Sequence, residues 1–143
     1  MSRALLDDHL LRDLLADDVG RGLAGVLREH EPASTNLYLY RLSKSIVSAR
    51  GGPLTGSWRP EQRRELGRIL TVLPAAIEVV PIRLLAYRMA EISDAQPVST
   101  LGAEAVAAAE LLEAPLCVWE GDDGPVIRSA MAAVGARYVT LGR

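Results

Sequence analysis

Short apolar runs alternate with longer amphipathic stretches along this chain. Buried strands are predicted at four runs rich in apolar or β-branched side chains, namely 4–6, 77–82, 116–119 and 138–141. Between these runs, apolar residues recur every three or four positions, which indicates helices. The predicted helices cover 19–27, 37–48, 84–92, 102–112 and 125–134, and two more begin at Asp7-Asp8 and at Pro60.

Each predicted strand is separated from the next by at least one helix. Connections of that length join parallel strands, and their helices cover both faces of the sheet. The pattern therefore predicts an α/β fold of three layers, with a mostly parallel sheet of four or five strands flanked by helices. We interpret 32–36 as a connection with caps for the next helix, and 50–57 as a loop and the best candidate for a mobile segment.

The length of 143 residues fits a single domain over 1–143 that needs no disulfide or structural metal to fold. No apolar run approaches the roughly 18 residues of a membrane-spanning helix. The start of the chain turns acidic at Asp7, unlike a secretory signal, so we expect a cytoplasmic protein with no membrane partner. The net charge of −2 argues against a non-specific duplex DNA binder and leaves other nucleic acids open.

Acidic side chains follow two of the predicted strands, where ligands of open parallel sheets bind. Asp7 follows the first strand, and Glu120 and Asp122 follow the strand at 116–119. Glu104 heads an otherwise apolar helix stripe, where a carboxylate needs a partner. Carboxylates gathered in one cleft repel one another unless a cation lies between them, and oxygen ligands favour Mg²⁺ or Mn²⁺. Such a metal can catalyse phosphodiester hydrolysis by activating water.

Each of these acids also has a structural explanation. Asp7 suits a helix N-cap, Glu104 suits the first turn of a helix, and Asp122 suits a turn between glycines. Taken singly, each acid is better explained in this way, whereas their joint placement makes a metal site an equal alternative. The two histidines, His9 and His30, share no metal-binding spacing, so neither is assigned a role.

The opening segment 5–11 resembles the start of PIN (PilT N-terminus) domains, in which an apolar strand delivers an aspartate just before the first helix. Segments 104–109 and 114–122 are similar to the C-terminal half of that family, where an acid opens an Ala-rich helix and an acidic motif follows the next strand. The tail 134–139 resembles the family's closing helix, glycine and edge strand. The resemblance implies a PIN-like fold, with catalytic residues that also bind Mg²⁺ or Mn²⁺ at Asp7, Glu104, Glu120 and Asp122.

Several positions depart from the family pattern. Glutamate stands at two of its aspartate positions, and Val118-Trp119 precede Glu120 where a threonine or serine is usual. Arg41 stands where the family carries a glutamate on a central helix, so a cation replaces an anion. A guanidinium in the cluster competes with Mg²⁺ for the same carboxylates.

Three functions remain open on this basis. The first is a divalent-metal-dependent endoribonuclease that acts on single-stranded RNA. The second is a catalytically inactive PIN-like module that works through protein–protein contacts, in which Arg41 neutralises the remaining acids. The third is a toxin-like ribonuclease of a toxin–antitoxin pair. A homodimer is a further implication of the resemblance.

Overall fold

The computed structural model of the chain describes residues 2–48, 50 and 52–143. Within them, five strands form one sheet in the order β3-β2-β1-β4-β5, and every pairing is parallel. The strands are β1 (Arg3–Leu6), β2 (Glu31–Ser34), β3 (Glu78–Val79), β4 (Leu116–Trp119) and β5 (Tyr138–Leu141). The predicted α/β class and parallel sheet are therefore confirmed.

Helices connect the strands and cover the sheet. They are α1 (Asp8–Leu15), α2 (Gly20–Glu29), α3 (Asn36–Val47), α4 (Gly52–Thr55), α5 (Pro60–Thr71), α6 (Ala86–Ala95), α7 (Thr100–Leu112) and α8 (Pro125–Ala133). Short 3₁₀ turns lie at Ile82–Leu84 and Glu120–Asp122. In the described part of the chain, no helix has the length and apolar character needed to cross a membrane.

The central strand β1 supplies side chains to a core on each face of the sheet. Leu5 packs in a buried cluster with side chains of α6, α7 and α8. Its neighbours Ala4 and Leu6 pack in a second cluster with α1 and α2. This alternation follows from the two-residue period of a strand, and it explains why β1 is apolar at every buried position. A third cluster joins α1, α3 and α5.

The strand β2 lies where the sequence pattern predicts only a connection, because Pro32 is unusual inside a sheet. The backbone N–H of Glu31 donates to the Ser2 carbonyl on the β1 side, so the nitrogen of Pro32 faces β3. Pairing with β3 starts only at Ala33, so the missing N–H of Pro32 removes no hydrogen bond from that ladder. The predicted capping role of this segment is confirmed at Thr35, whose hydroxyl accepts from the N–H of Tyr38.

Two further elements differ in extent from the sequence-based prediction. The strand predicted over 77–82 is reduced to Glu78–Val79, and the chain then bends at Pro81 into a 3₁₀ turn. The segment predicted as a loop over 50–57 contains the short helix α4, whose Leu54 and Thr55 are buried. Gly51, also in that segment, lies outside the described residues.

The helix α2 approaches the end of the chain closely. A Cβ atom added at Gly22 would lie 2.1 Å from the carbonyl oxygen of Gly142, whereas one at Gly25 would meet only the Arg28 side chain at 3.6 Å. Alanine stabilises a helix interior by about 1 kcal/mol relative to glycine, but a clash with backbone reverses the sign.

We therefore expect Gly25→Ala to raise the free energy of unfolding by up to about 1 kcal/mol. Gly22→Ala, in the same helix, is expected to lower it by about 1–3 kcal/mol, because the end of the chain must move. Urea denaturation of the two variants measures both effects. Equal stabilisation by both substitutions would contradict the close approach.

Candidate functional site

A cleft of about 230 Å³ lies at the carboxyl ends of β1 and β4. Asp7 directly follows β1, and Asp122 lies in the 3₁₀ turn that follows β4. The helix α3 contributes Tyr38 and Arg41 to the same wall. The parallel sheet thus brings these distant parts of the chain to one edge, as the sequence analysis expected.

Two adjacent carboxylates at the start of α1 are almost fully buried. Asp7 is 5% exposed, and its Oδ1 caps the helix by accepting from the N–H of Leu10 at 2.9 Å. Asp8 is 2% exposed, and its Oδ1 accepts from the N–H of His9 at 3.0 Å. Burial raises the pKa of Asp7 above its usual value, although the contacts with His9 and Leu10 oppose this shift.

The imidazole of His9 lies between acids on both sides. Its Nδ1 is 3.0 Å from Asp8 Oδ1 and 3.7 Å from Asp7 Oδ2, and its Nε2 is 3.6 Å from Asp122 Oδ1. The carboxylates of Asp7 and Asp8 raise the pKa of His9 to about 10, although partial burial of the ring acts in the opposite direction. His9 is therefore an imidazolium at neutral pH, and it links the start of α1 to the turn after β4.

Arg41 supplies a second cation to Asp8. Its Nη1 lies 3.1 Å from Asp8 Oδ2, in an orientation that gives an ion pair rather than a hydrogen bond. The guanidinium is partly exposed, whereas the carboxylate is buried. Asp7, Asp8, His9 and Arg41 together form what we call the charge quartet, in which two carboxyl groups lie beside two basic side chains.

Glu104 has a different role in the structure. It is fully buried, and its Oε1 accepts from the N–H of Leu37 at 2.8 Å while its Oε2 accepts from Asn36 Nδ2 at 3.0 Å. A carboxylate of α7 thus caps the N-terminus of α3, where the helix dipole favours a negative charge. Both oxygens are satisfied there, and Glu104 does not line the cleft.

Glu120 lies on a separate surface. It is exposed and lines a recess of about 310 Å³ with Trp119, Leu141 and Arg143, and Asp122 lines both this recess and the cleft. Of the four predicted ligands, the structure therefore brings Asp7 and Asp122 to one cleft and places Glu104 and Glu120 outside its walls.

A buried carboxylate on α1 anchors the strand that carries this turn. Asp13 accepts hydrogen bonds from Trp119 Nε1 at 2.8 Å and from Arg12 Nε at 2.7 Å. Arg143 also donates to Asp13, and its guanidinium lies 4.6 Å from the centre of the Trp119 ring. These contacts fix the end of β4 against α1. They therefore fix the position of the acidic turn after β4 relative to the acids at the start of α1.

Sequence reasoning missed Asp8 and His9. Ligand atoms of Asp7, Asp8 and His9 lie within 4.8 Å of one another, so these three residues could hold a metal ion. Metal-binding histidines are usually sought by helical spacing, and three consecutive residues at the turn from strand to helix give no such signal. The only available signal was the position of His9 directly after the two acids.

No protein-family model matches the chain, and no curated protein matches its sequence. The fold and the geometry of the cleft therefore carry the functional argument.

The pKa of His9 predicts a pH dependence of stability. The folded-state pKa of about 10 exceeds the unfolded value of 6.5, so the stabilising contribution of His9 is complete below about pH 6.5 and is lost as the pH rises through about 10. We expect the difference in free energy of unfolding between the unmodified chain and His9→Gln to be largest near pH 6 and to shrink towards pH 10. Urea denaturation between pH 6 and pH 10 measures this difference. His30→Gln is the control, because His30 contacts the Ser2 hydroxyl and not a carboxylate.

The capping role of Glu104 predicts a loss of stability that is independent of any metal. In Glu104→Gln the amide group loses one acceptor and the negative charge at the start of α3, so we expect a loss of about 1–3 kcal/mol. The control is Glu113→Gln. Glu113 is exposed and directly follows α7, the helix that carries Glu104, and its substitution should change stability by less than about 0.5 kcal/mol. Thermal or urea unfolding in the presence of a chelator measures both. Equally small losses of stability in Glu104→Gln and Glu113→Gln would contradict the capping role.

Proposed function

We propose that this chain is a PIN-like domain that works through protein–protein contacts and not through metal-dependent hydrolysis. The sheet order and the acids that follow β1 and β4 support the PIN-like assignment. The ion pair between Arg41 and the buried Asp8 carries the functional part of the proposal.

The cations of the charge quartet already lie beside the buried Asp8 carboxylate that a metal would need, although Asp8 Oδ2 accepts no hydrogen bond from the described residues. A divalent ion would have to bind beside an imidazolium and a guanidinium, both of which repel it. The neighbouring carboxylates favour the protonated form of His9, so a metal that bound its ring nitrogen would first have to displace a proton. Removal of Arg41 from Asp8 leaves a buried carboxylate without its cation, which is also unfavourable.

The four predicted carboxylates also do not lie together in the cleft. Both oxygens of Glu104 bind the start of α3, and Glu120 lines a different recess. Recruitment of Glu104 to a metal would therefore uncap a helix. This cost, added to the cations beside Asp8, favours a role based on contacts.

A second candidate function is the divalent-metal-dependent endoribonuclease, with Mg²⁺ or Mn²⁺ and single-stranded RNA. It is favoured by the proximity of Asp7, Asp8 and His9, with Asp122 on the far side of the imidazole. Asp7, Asp8 and a deprotonated His9 would hold the ion, which would supply an activated water. A toxin-like ribonuclease would use the same residues, so one experiment decides both.

Calorimetric titration with Mn²⁺ separates these functions. We expect no binding by the unmodified chain up to about 1 mM Mn²⁺, and binding at least about tenfold tighter in Arg41→Gln, because the competing cation is gone. Arg64→Gln is the matched control, since Arg64 is exposed and its ion pair among the described residues is with Glu61 of the same helix.

The contrary result is equally specific. Micromolar Mn²⁺ binding by the unmodified chain, together with cleavage of labelled single-stranded RNA that Asp7→Asn abolishes, would replace the contact function with the nuclease. Circular dichroism of each variant establishes that the fold is retained.

A further inference from the structure

A second groove lies away from the cleft, between the end of α1 and the helix α5. Its volume is about 490 Å³, and its apolar floor is formed by Leu15, Trp58, Leu66 and Ile69. Leu66 is buried in the core cluster of α1, α3 and α5, and Leu15 and Trp58 pack against that cluster. The floor is therefore an accessible extension of the core, held by helices on both sides.

The rim of this groove is acidic. Asp17 and Asp18 lie just beyond Ala16, the C-cap of α1, and are exposed. Glu61 and Glu65 lie one turn apart on α5. None of the lining residues is basic. The two glutamates pair with arginines that lie outside the groove, whereas neither aspartate pairs with a cation among the described residues.

We propose that this groove docks an amphipathic segment of a partner protein, with apolar side chains on the floor and lysine or arginine side chains over the rim. The inference rests on the contact function proposed above and names the surface that performs it. Charge complementarity selects the occupant, because Asp17 and Asp18, which pair with no cation among the described residues, lie beside an apolar floor, repel nucleic acid and anionic lipid and attract a basic segment.

The floor and the rim contribute differently to such binding. Apolar side chains that enter the groove displace water from Trp58 and Ile69 and supply most of the affinity. The rim charges mainly increase the association rate and the selectivity, so binding should weaken as salt is raised. An amphipathic helix presents both features at once, with apolar residues at positions i, i+3, i+4 and i+7.

The test uses the full chain and a synthetic helical peptide of leucine and lysine with that spacing. A second peptide has the same composition in scrambled order. We expect the amphipathic peptide to bind and Asp17→Asn/Asp18→Asn to weaken it by about tenfold, since two rim charges are lost. The double variant Asp94→Asn/Glu113→Gln removes the same charge from exposed positions elsewhere and should change affinity less than about twofold.

A second pair of variants tests the floor. Ile69→Ala should weaken peptide binding severalfold, whereas Val72→Ala, an exposed valine just beyond α5 that does not line the groove, should not. Fluorescence anisotropy of labelled peptide measures all of these affinities.

Four results would overturn the proposal. They are no binding by the unmodified chain at submillimolar peptide, equal binding of the scrambled peptide, equal losses in the two double variants, and self-association that Asp17→Asn/Asp18→Asn abolishes. The last result would assign the groove to a second copy of the chain. The Mn²⁺ titration does not depend on these variants. Failure of the groove proposal is therefore distinguishable from failure of the proposed contact function, which micromolar Mn²⁺ binding at the cleft would indicate.

Discussion

The structure of the cleft depends on the removal of two adjacent carboxylates from water at the end of the central strand. Asp7 and Asp8 are held there because the backbone turns from β1 directly into α1, and a buried anion requires a compensating cation or hydrogen bonds. The chain supplies both kinds of compensation itself. His9 and Arg41 balance the charge, and the helix N-terminus binds Asp7. Charge balance within the protein is therefore the constraint from which the functional argument follows.

Much of the fold could be predicted because the apolar runs are short and the helices between them are strongly periodic. The strands at 116–119 and 138–141 have the predicted bounds, since each is an unbroken apolar or β-branched run between turns. The strand β2 could not be predicted in this way, because its proline is tolerated only through the register of its neighbours. Register is a tertiary property that local patterns do not contain.

The candidate site was predictable in position but not in composition. The rule that ligands bind at the carboxyl ends of parallel strands placed Asp7, Glu120 and Asp122 at this edge of the sheet. Asp7 and Asp122 line the cleft, whereas Glu120 lines the neighbouring recess. It could not show that Glu104 turns towards the start of α3, or that His9 turns back over the acids before it. These outcomes depend on side-chain directions at helix starts, which are set by packing between distant segments.

The hydrogen bonds from α3 to Glu104 have a consequence for any attempt to alter the cleft. They determine where α3 begins, and therefore where Arg41, on the second turn of that helix, can reach Asp8. A carboxylate that serves as scaffold is no longer free to serve as ligand. Exchange of Arg41 for glutamate would thus add a negative charge to the cleft without freeing Glu104, because both oxygens of Glu104 already bind the start of α3.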